Sequence, residues 1–542
     1  MGYCDTYCIR RRKIEVLYNI RHVTPIAMQG KMAKQVVVAT QSLVATQGLL
    51  LPAWQGATYH EHQETGVLWM LEREAKGYTI PGLPGPQTMK DHVVRGGILG
   101  DKMGVGKTIQ SLGLIANGGP LKTLVITPLA VRGQWEHELR RSNVNLYLPT
   151  QWGGRWVLQG SVDTTERPTV HLAHYDKVAN RPDLCEGEEY GRIILDEGHT
   201  IRNPSTKKAQ VIFKIAANIP YRWALTGTPI TNSMDDAVSY LKFIGCPVDP
   251  GKKKWQAKYE DWVRNLYMSR QLTECEPSPE LVLPPTAIEE TRLLDFTNAD
   301  EESVYRGIYA NEESKWRCAQ KLKGQAYQLA LFSILLRLRQ VSVNPQIYIK
   351  ARKKEAFGWT GPEFHAVSRK FDEVAFLLKE AHEQSEEHKW IVFCQFHEEM
   401  VLMEAFLKAH PFVGNVLQYH GGMNVKEREA TLKESRLPTE KGKQDVFLIQ
   451  LKAGSTGINL QHYDRIIFVS PWWTLSEMEQ AKARAVRIGQ SKVVKIYLLH
   501  LRTEDTFNID KCMMEKVFTK KGLADEFETW SVHKQVPLTE AA

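Results

Sequence analysis

From about Tyr59 onward the chain alternates short, nearly continuous apolar runs with turn-forming or charged residues and then longer segments of helical spacing. The clearest runs are Thr123 to Thr127, Arg192 to Leu195, Trp223 to Leu225, Trp390 to Cys394, Val446 to Gln450, Arg465 to Val469 and Val494 to Leu499. A strand covered by helices on both faces has no solvent side and needs no polar alternation. Such Val, Ile and Leu runs therefore predict parallel strands inside α/β units. They fall into two groups, separated by a stretch from about Gly245 to Arg369 that is rich in charge, proline and helical spacing. The predicted fold class is α/β, with two parallel-sheet lobes and helical insertions between them. The expected divisions are an N-terminal extension over 1–48, a first lobe over 49–250, a helical region over 251–365, a second lobe over 366–510 and a helical tail over 511–542.

Composition narrows the class. The chain has 542 residues, enough for several domains at about 150 residues each. Apolar residues make up 43% and charged residues 24%, which excludes wholesale disorder. The net charge of +8 is a mild excess that fits a polyanion partner without requiring one. Cysteines at 4, 8, 185, 246, 275, 318, 394 and 512 are too scattered for a disulfide framework or paired zinc ligands, so a reducing compartment and no structural zinc are expected. The uncharged run from Val36 to Tyr59 is broken by Thr40, Gln41, Ser42, Thr46, Gln47, Pro52 and Gln55 and makes a poor membrane span. The first residues, MGYCDT, formally match an acylation pattern, but Arg10 to Lys13 read more simply as a solvated charge run.

The candidate chemistry begins at Gly96, where GGILGDKMGVGKTIQ runs from an apolar turn through a glycine-rich loop into a helical stretch. This is the make-up of a phosphate cradle. Gly104, Val105 and Gly106 would turn backbone N–H groups onto phosphates, Lys107 would add an ammonium, and Thr108 would offer a hydroxyl to Mg²⁺. The strict GxxxxGK[ST] spacing fails, because Asp101 stands at the first glycine. A second element follows the apolar run RIIL. Asp196 and Glu197 sit where α/β sheets present ligands, so one carboxylate can hold Mg²⁺ and its neighbour orient the attacking water. His199 lies beside the pair as a candidate coupling residue.

With these residues the chain closely resembles the Swi/Snf-type ATPases, the double-stranded-DNA translocases within helicase superfamily 2. The resemblance spans roughly Tyr59 to Leu499 and rests on HEHQETGVLWMLERE, DKMGVGKT, TLVITPLAVRGQWEHEL, LDEGHTIRN, RWALTGTPITNS, LLRLRQVSVNP, IVFCQF, LKAGSTGINL and PWWTLSEMEQAKARAVRIGQ, in the family's order. It implies two RecA-like lobes, ATP and Mg²⁺ as cofactors, and Gln63 as the adenine-reading residue. It also implies that Arg484 and Arg487 are arginine fingers. Three residues apart, they lie on one helical face, so both could point at a single γ-phosphate. Thr226, Gly227, Thr228, Pro229, Gly454, Thr456, Gly457, Asn459 and Gln480 fall on the segments that would couple nucleotide to DNA. The wording is nearest to the post-replication-repair and helicase-like transcription factor branch, without its RING insertion. Lys102, Thr231, Ala483 and Val486 depart from the family pattern, and none of them replaces a phosphate or metal ligand. Trp472 and Trp473 would suit a base-stacking platform, but core packing is the preferred reading.

The function expected from the resemblance is a DNA-stimulated ATPase that translocates on duplex DNA in chromatin remodelling or repair. Nucleosomes or other DNA-bound proteins would be further partners, no membrane is expected, and the location would be the nucleus or a viral replication site. The alternatives are a strand-separating helicase and a non-hydrolysing ATP-binding scaffold. Intact Lys107, Asp196, Glu197, Arg484 and Arg487 weigh against the scaffold.

Overall fold

The computed structural model describes residues 50–81, 91–150, 154–160, 164–248, 254–275, 284–355, 361, 363–384, 386–454, 458–487, 489–503 and 508–516. They form two compact units, one drawn from residues up to 275 and the other from those after 283 together with Ile230–Ser233.

The first unit is a mainly parallel sheet. Its strands are β1 (Tyr78–Ile80), β2 (His92–Leu99), β3 (Lys122–Thr127), β4 (Asn145–Pro149), β5 (Trp156–Leu158), β6 (Thr169–His174), β7 (Arg192–Leu195), β8 (Tyr221–Leu225) and β9 (Tyr267–Met268). They are ordered β1-β2-β8-β7-β3-β6-β4-β5, with β9 also on β2; only the β1–β2 and β4–β5 pairs are antiparallel. Leu99, Val125, Ile194, Trp223 and Leu225 pack against Val67, Met70 and Leu71 of helix α1 (Glu61–Lys76) and Leu112 and Ile115 of helix α2 (Lys107–Asn117). Helix α1 carries Glu61 and Glu64 in its first turn and Arg73 and Lys76 in its last, charges that complement its dipole. Under the sheet Arg192 and Glu74, both with side chains fully buried, form a two-pronged ion pair with Nε–Oε1 and Nη2–Oε2 distances of 2.6 Å. The apolar turn expected from Gly96 is instead the end of strand β2, whose apolar run Gly96 and Gly97 interrupt. Gly96 has φ 151°, and a Cβ there would lie 2.0 Å from the Arg222 carbonyl oxygen, so the close approach of β2 to β8 requires glycine.

The second unit holds the all-parallel sheet β10 (Ile288–Leu294), β11 (Lys389–Cys394), β12 (Val413–Tyr419), β13 (Gln444–Gln450), β14 (Arg465–Phe468) and β15 (Lys495–Leu501), ordered β10-β15-β14-β11-β13-β12. Both faces are covered, as the unbroken apolar runs require. Trp390, Val392 and Cys394 belong to one core with Val374, Leu377 and Leu378 of the helix Arg369–Glu383, and Ile391 and Phe393 belong to the opposite core with Met478, Ala481 and Ala485.

All seven apolar runs became strands. The stretch 251–365 holds the expected helices Ala299–Ala319, Gly324–Val343 and Pro345–Lys353, and also two strands. Tyr267–Met268 extends the first sheet, and Ile288–Leu294 forms an edge of the second with most of its side chains exposed. A two-residue strand has no period, and a solvated edge reads as polar, so neither carries the signal of a buried strand. Residues 509–516, of which 511–516 fall in the expected tail, are helical, with Ile509 and Met513 buried against Ala319, Ile334 and Leu338. The expected extension 1–48 lies outside the described residues.

Candidate functional site

The predicted residues of the first unit converge at the C-terminal ends of three adjacent strands, β2, β8 and β7. From β2 the chain enters the glycine-rich loop, where Gly104 and Gly106 take φ of 89° and 100°, values open to glycine at little cost. Gly106 caps α2, which starts at Lys107. The first-turn N–H groups of α2 have no partner within the helix, so this end suits an anion. The Lys107 ammonium donates to the Asp101 carbonyl oxygen at 2.6 Å. Val105 is buried, and its carbonyl accepts from Gln63 Nε2 at 3.3 Å and meets His62 Nε2 at 3.0 Å. The Gln63 amide oxygen accepts from the His60 N–H at 3.2 Å, so here both ends of the expected adenine reader serve protein backbone.

From β7 come the paired acids. Asp196 is buried; its Oδ2 accepts from Trp135 Nε1 at 2.7 Å and its Oδ1 from the Glu197 N–H at 3.0 Å. Burial, with Glu197 beside it, pushes the Asp196 carboxyl up to about 6, against the pull of the Trp135 bond and the Lys107 charge. Glu197 has φ 50° and ψ 53°, the one non-glycine residue with positive φ among the described residues. Holding an L-residue in this left-handed region costs about 1–2 kcal/mol, and such strain gathers at functional sites. His199 Nδ1 lies 3.2 Å from Glu197 Oε2, which puts the expected coupling residue on the acid pair.

From β8 comes the segment 226–229. The Thr226 N–H donates to the Leu99 carbonyl at 3.0 Å, and Thr226 Oγ1 accepts from the Thr228 N–H at 3.2 Å. A Cβ on Gly227 would lie 3.4 Å from the Asp101 carbonyl oxygen and 3.5 Å from Lys107 Nζ, and the Gly227 carbonyl accepts from Lys102 Nζ at 3.4 Å. This segment therefore rests directly on the phosphate loop.

The second unit brings its own motif residues together. The Leu460 N–H donates to the Arg484 carbonyl at 3.0 Å, and Gln490 Nε2 donates to the Gln461 and Tyr463 carbonyls at 2.8 and 3.0 Å. The segment after Leu451 and the arginine segment are thus one stitched surface. Gly454 ends the short helix Leu451–Gly454; Asn459 Oδ1 accepts from the Gln461 N–H at 3.2 Å. Thr456 and Gly457 lie outside the described residues. Gln480 is buried, with Nε2 3.5 Å from Ser476 Oγ. The shared helical face expected for Arg484 and Arg487 is corrected: the helix Leu475–Lys482 ends before them. The N–H groups of Arg484 and Ala485 donate three residues back, to Ala481 and Lys482, so the arginines sit on a tightened turn. Burial pulls the Arg487 guanidinium below its usual range.

Trp472 is buried in the second core and Trp473 packs on the Ile334 and Leu338 cluster, which supports packing over base stacking. The Arg339 guanidinium covers both, 4.9 and 5.5 Å from their ring centroids. Sequence reasoning assigned no role to Arg339 or Gln490, and left unseen the bond from Trp135 to Asp196. Nothing in residue spacing announces a bond across 61 positions.

Known proteins bear on this geometry. A family model described as SNF2-related domain matches residues 62–347, and one described as helicase conserved C-terminal domain matches 370–489. The chain is similar to the probable global transactivator of Orgyia pseudotsugata multicapsid polyhedrosis virus, at 26% identity over 480 residues covering 82% of this chain and 87% of that one. It is similar to the probable ATP-dependent DNA helicase CHR12 of Arabidopsis thaliana at 24% identity, covering 83% of this chain and 41% of the relative's length. Among solved structures, the Sulfolobus solfataricus SWI2/SNF2 ATPase core in complex with dsDNA is 20% identical, with a TM-score of 0.35, and covers 90% of this chain and 100% of that one. With the first family model matching more than half of its length, the chain belongs to the SNF2-related family and is a helicase-like ATP hydrolase.

Proposed function

We propose that this ATPase is a translocase on double-stranded DNA, working in chromatin remodelling or DNA repair, in the nucleus or at a viral replication site. The observation that carries the reading is the contact of the segment 226–229 with the phosphate loop, through Gly227 beside Lys107 and under Lys102. A segment touching the triphosphate site from a neighbouring strand end feels whether nucleotide is present and passes that on.

In the proposed site Lys107, set by the Asp101 carbonyl, and the N–H groups at the start of α2 bind the phosphate oxygens. Glu197, held by its backbone and by His199, orients the attacking water and takes its proton. Arg484 and Arg487 supply the arginine-finger charge. Thr108 and Asp196 offer hard oxygen donors, and the raised pKa of the buried Asp196 marks a carboxylate whose charge is poorly compensated. These residues fit a magnesium ion, which would neutralise phosphate charge when bound. Backbone amides, hydroxyls and scattered Lys and Arg would grip DNA phosphates rather than bases, so affinity falls steeply with salt.

The test measures ATP hydrolysis without DNA, with single strands and with duplex, followed by triplex displacement and strand separation. Duplex-stimulated turnover with triplex displacement and no unwinding is expected; unwinding would favour a strand-separating helicase, and no turnover under any condition would leave only a scaffold. Lys107→Ala and Glu197→Gln should each abolish turnover.

A further inference from the structure

Asp101, the residue that breaks the strict phosphate-loop spacing, is fully buried, and both of its oxygens are occupied. Oδ1 accepts from the Arg270 N–H and Nε, each at 3.0 Å. Oδ2 accepts from Arg270 Nη2 at 2.6 Å and from Gln110 Nε2 at 2.9 Å. The same Arg270 Nη2 donates to Gln110 Oε1 at 2.8 Å, and Nη1 donates to the His62 carbonyl. One guanidinium, 1% exposed, therefore ties together the helix α1 beside Gln63, the first residue of the phosphate loop and the helix that follows it. The backbone takes part too. The Gly100 N–H donates to the Met268 carbonyl at 2.6 Å and the Lys102 N–H to the Arg270 carbonyl at 2.9 Å, so residues 268–270 run alongside 100–102. Space is cleared for the cluster by Gly66, where a Cβ would lie 1.9 Å from Gln110 Oε1 and 2.7 Å from Arg270 Nη2.

We infer that Arg270 is a positioning residue for ATP binding, one that sets the phosphate loop from outside the nucleotide motifs. It reaches no phosphate itself. It fixes Asp101, whose carbonyl in turn receives the Lys107 ammonium, and it fixes the His62 carbonyl, one residue before Gln63. A fully satisfied carboxylate cannot also serve as a metal ligand or a base, which accounts for an acid standing where a loop glycine was expected. Breaking one side of such a pair leaves a buried charge uncompensated, so the loop moves rather than tolerate it. The inference needs only that the chain binds ATP, and stands apart from the DNA reading.

The same unit supplies its own control. Arg192 and Glu74 form an equally buried, equally two-pronged pair, which also holds Thr123 and touches no part of the phosphate loop. The experiment compares Arg270→Lys with Arg192→Lys in the full chain, reading fluorescent-nucleotide affinity, the split between KM and kcat, and thermal melting. Both variants should melt earlier. Only Arg270→Lys should weaken nucleotide binding and raise KM for ATP, by roughly 10- to 100-fold, while kcat at saturating ATP stays near that of the parent. Gln110→Leu, which removes one donor to Asp101 but leaves the ion pair, gives a milder second probe should Arg270→Lys fail to fold, and should raise KM several-fold. Nucleotide affinity unchanged in both Arg270→Lys and Gln110→Leu overturns the inference. So does an equal loss of affinity in Arg192→Lys, which would reduce the effect to general destabilisation.

Discussion

In the first unit the motif side chains are held by protein partners. Asp196 has Trp135 and its neighbour's N–H, Lys107 has the Asp101 carbonyl, and Gln63 has the Val105 carbonyl. In the second unit Arg487 rides on a turn whose fixed points are main-chain atoms, the Arg484 carbonyl bonded to Leu460 and the Arg487 carbonyl accepting from Gln490 at 3.0 Å, while Arg484 itself is buried. The difference is one of preorganisation. A cradle whose ordering cost is met during folding binds tightly, whereas side chains carried on a turn can be brought to bear only where charge develops. Damage to the phosphate cradle of the first unit should therefore show in nucleotide affinity, and damage to the arginine turn of the second in the rate of chemistry.

The sharpest cut is Arg487→Ala. Nucleotide affinity should stay within about twofold while hydrolysis falls on the order of 10³-fold or more, the scale of a lost arginine finger; stopped-flow binding beside steady-state turnover checks it, and unimpaired turnover would remove Arg487 from the site. Next comes Gly106→Ala. Its φ of 100° and a new Cβ 2.4 Å from Gln63 Nε2 force the loop to shift, where Gly227→Ala meets only ordinary contacts. The expected strain of about 1–2 kcal/mol corresponds to roughly tenfold weaker nucleotide binding, and equal affinities of the two glycine variants would break the comparison. The smallest effect is expected from Trp135→Phe. The Trp135 bond lowers the Asp196 pKa, so its loss raises it further. In the metal-free variant the Asp196 carboxyl should therefore titrate at higher pH than in the parent. An unmoved Asp196 titration, read by NMR on the metal-free proteins, would show that the bond does not tune the site.

Much of this was legible in residue order. Continuous Val, Ile and Leu marked the doubly covered strands, and Gly104, Gly106, Lys107, Asp196 and Glu197 marked the loop and the acid pair that the fold brings to neighbouring strand ends. The unread parts share a physical character. Ile288–Leu294 is an edge strand with little apolar signal, Tyr267–Met268 is too short to show a period, and the turn carrying Arg484 and Arg487 looks helical by spacing until the helix ends at Lys482. Arg270, Trp135 and Gln490 act through bonds to distant residues, and one chain read alone holds no trace of which far-off partner a buried polar group will find.

The left-handed backbone at Glu197 has a consequence for the history of such a site. Asparagine and aspartate tolerate this conformation better than glutamate does. Drift to either of those residues would thus relieve the backbone while, on the proposed role of Glu197, silencing the enzyme, so heat and proteolysis would not weed out those silent forms. On that proposed role, selection on turnover would hold a glutamate there, and a lineage that stopped needing ATP hydrolysis would be expected to lose this residue early.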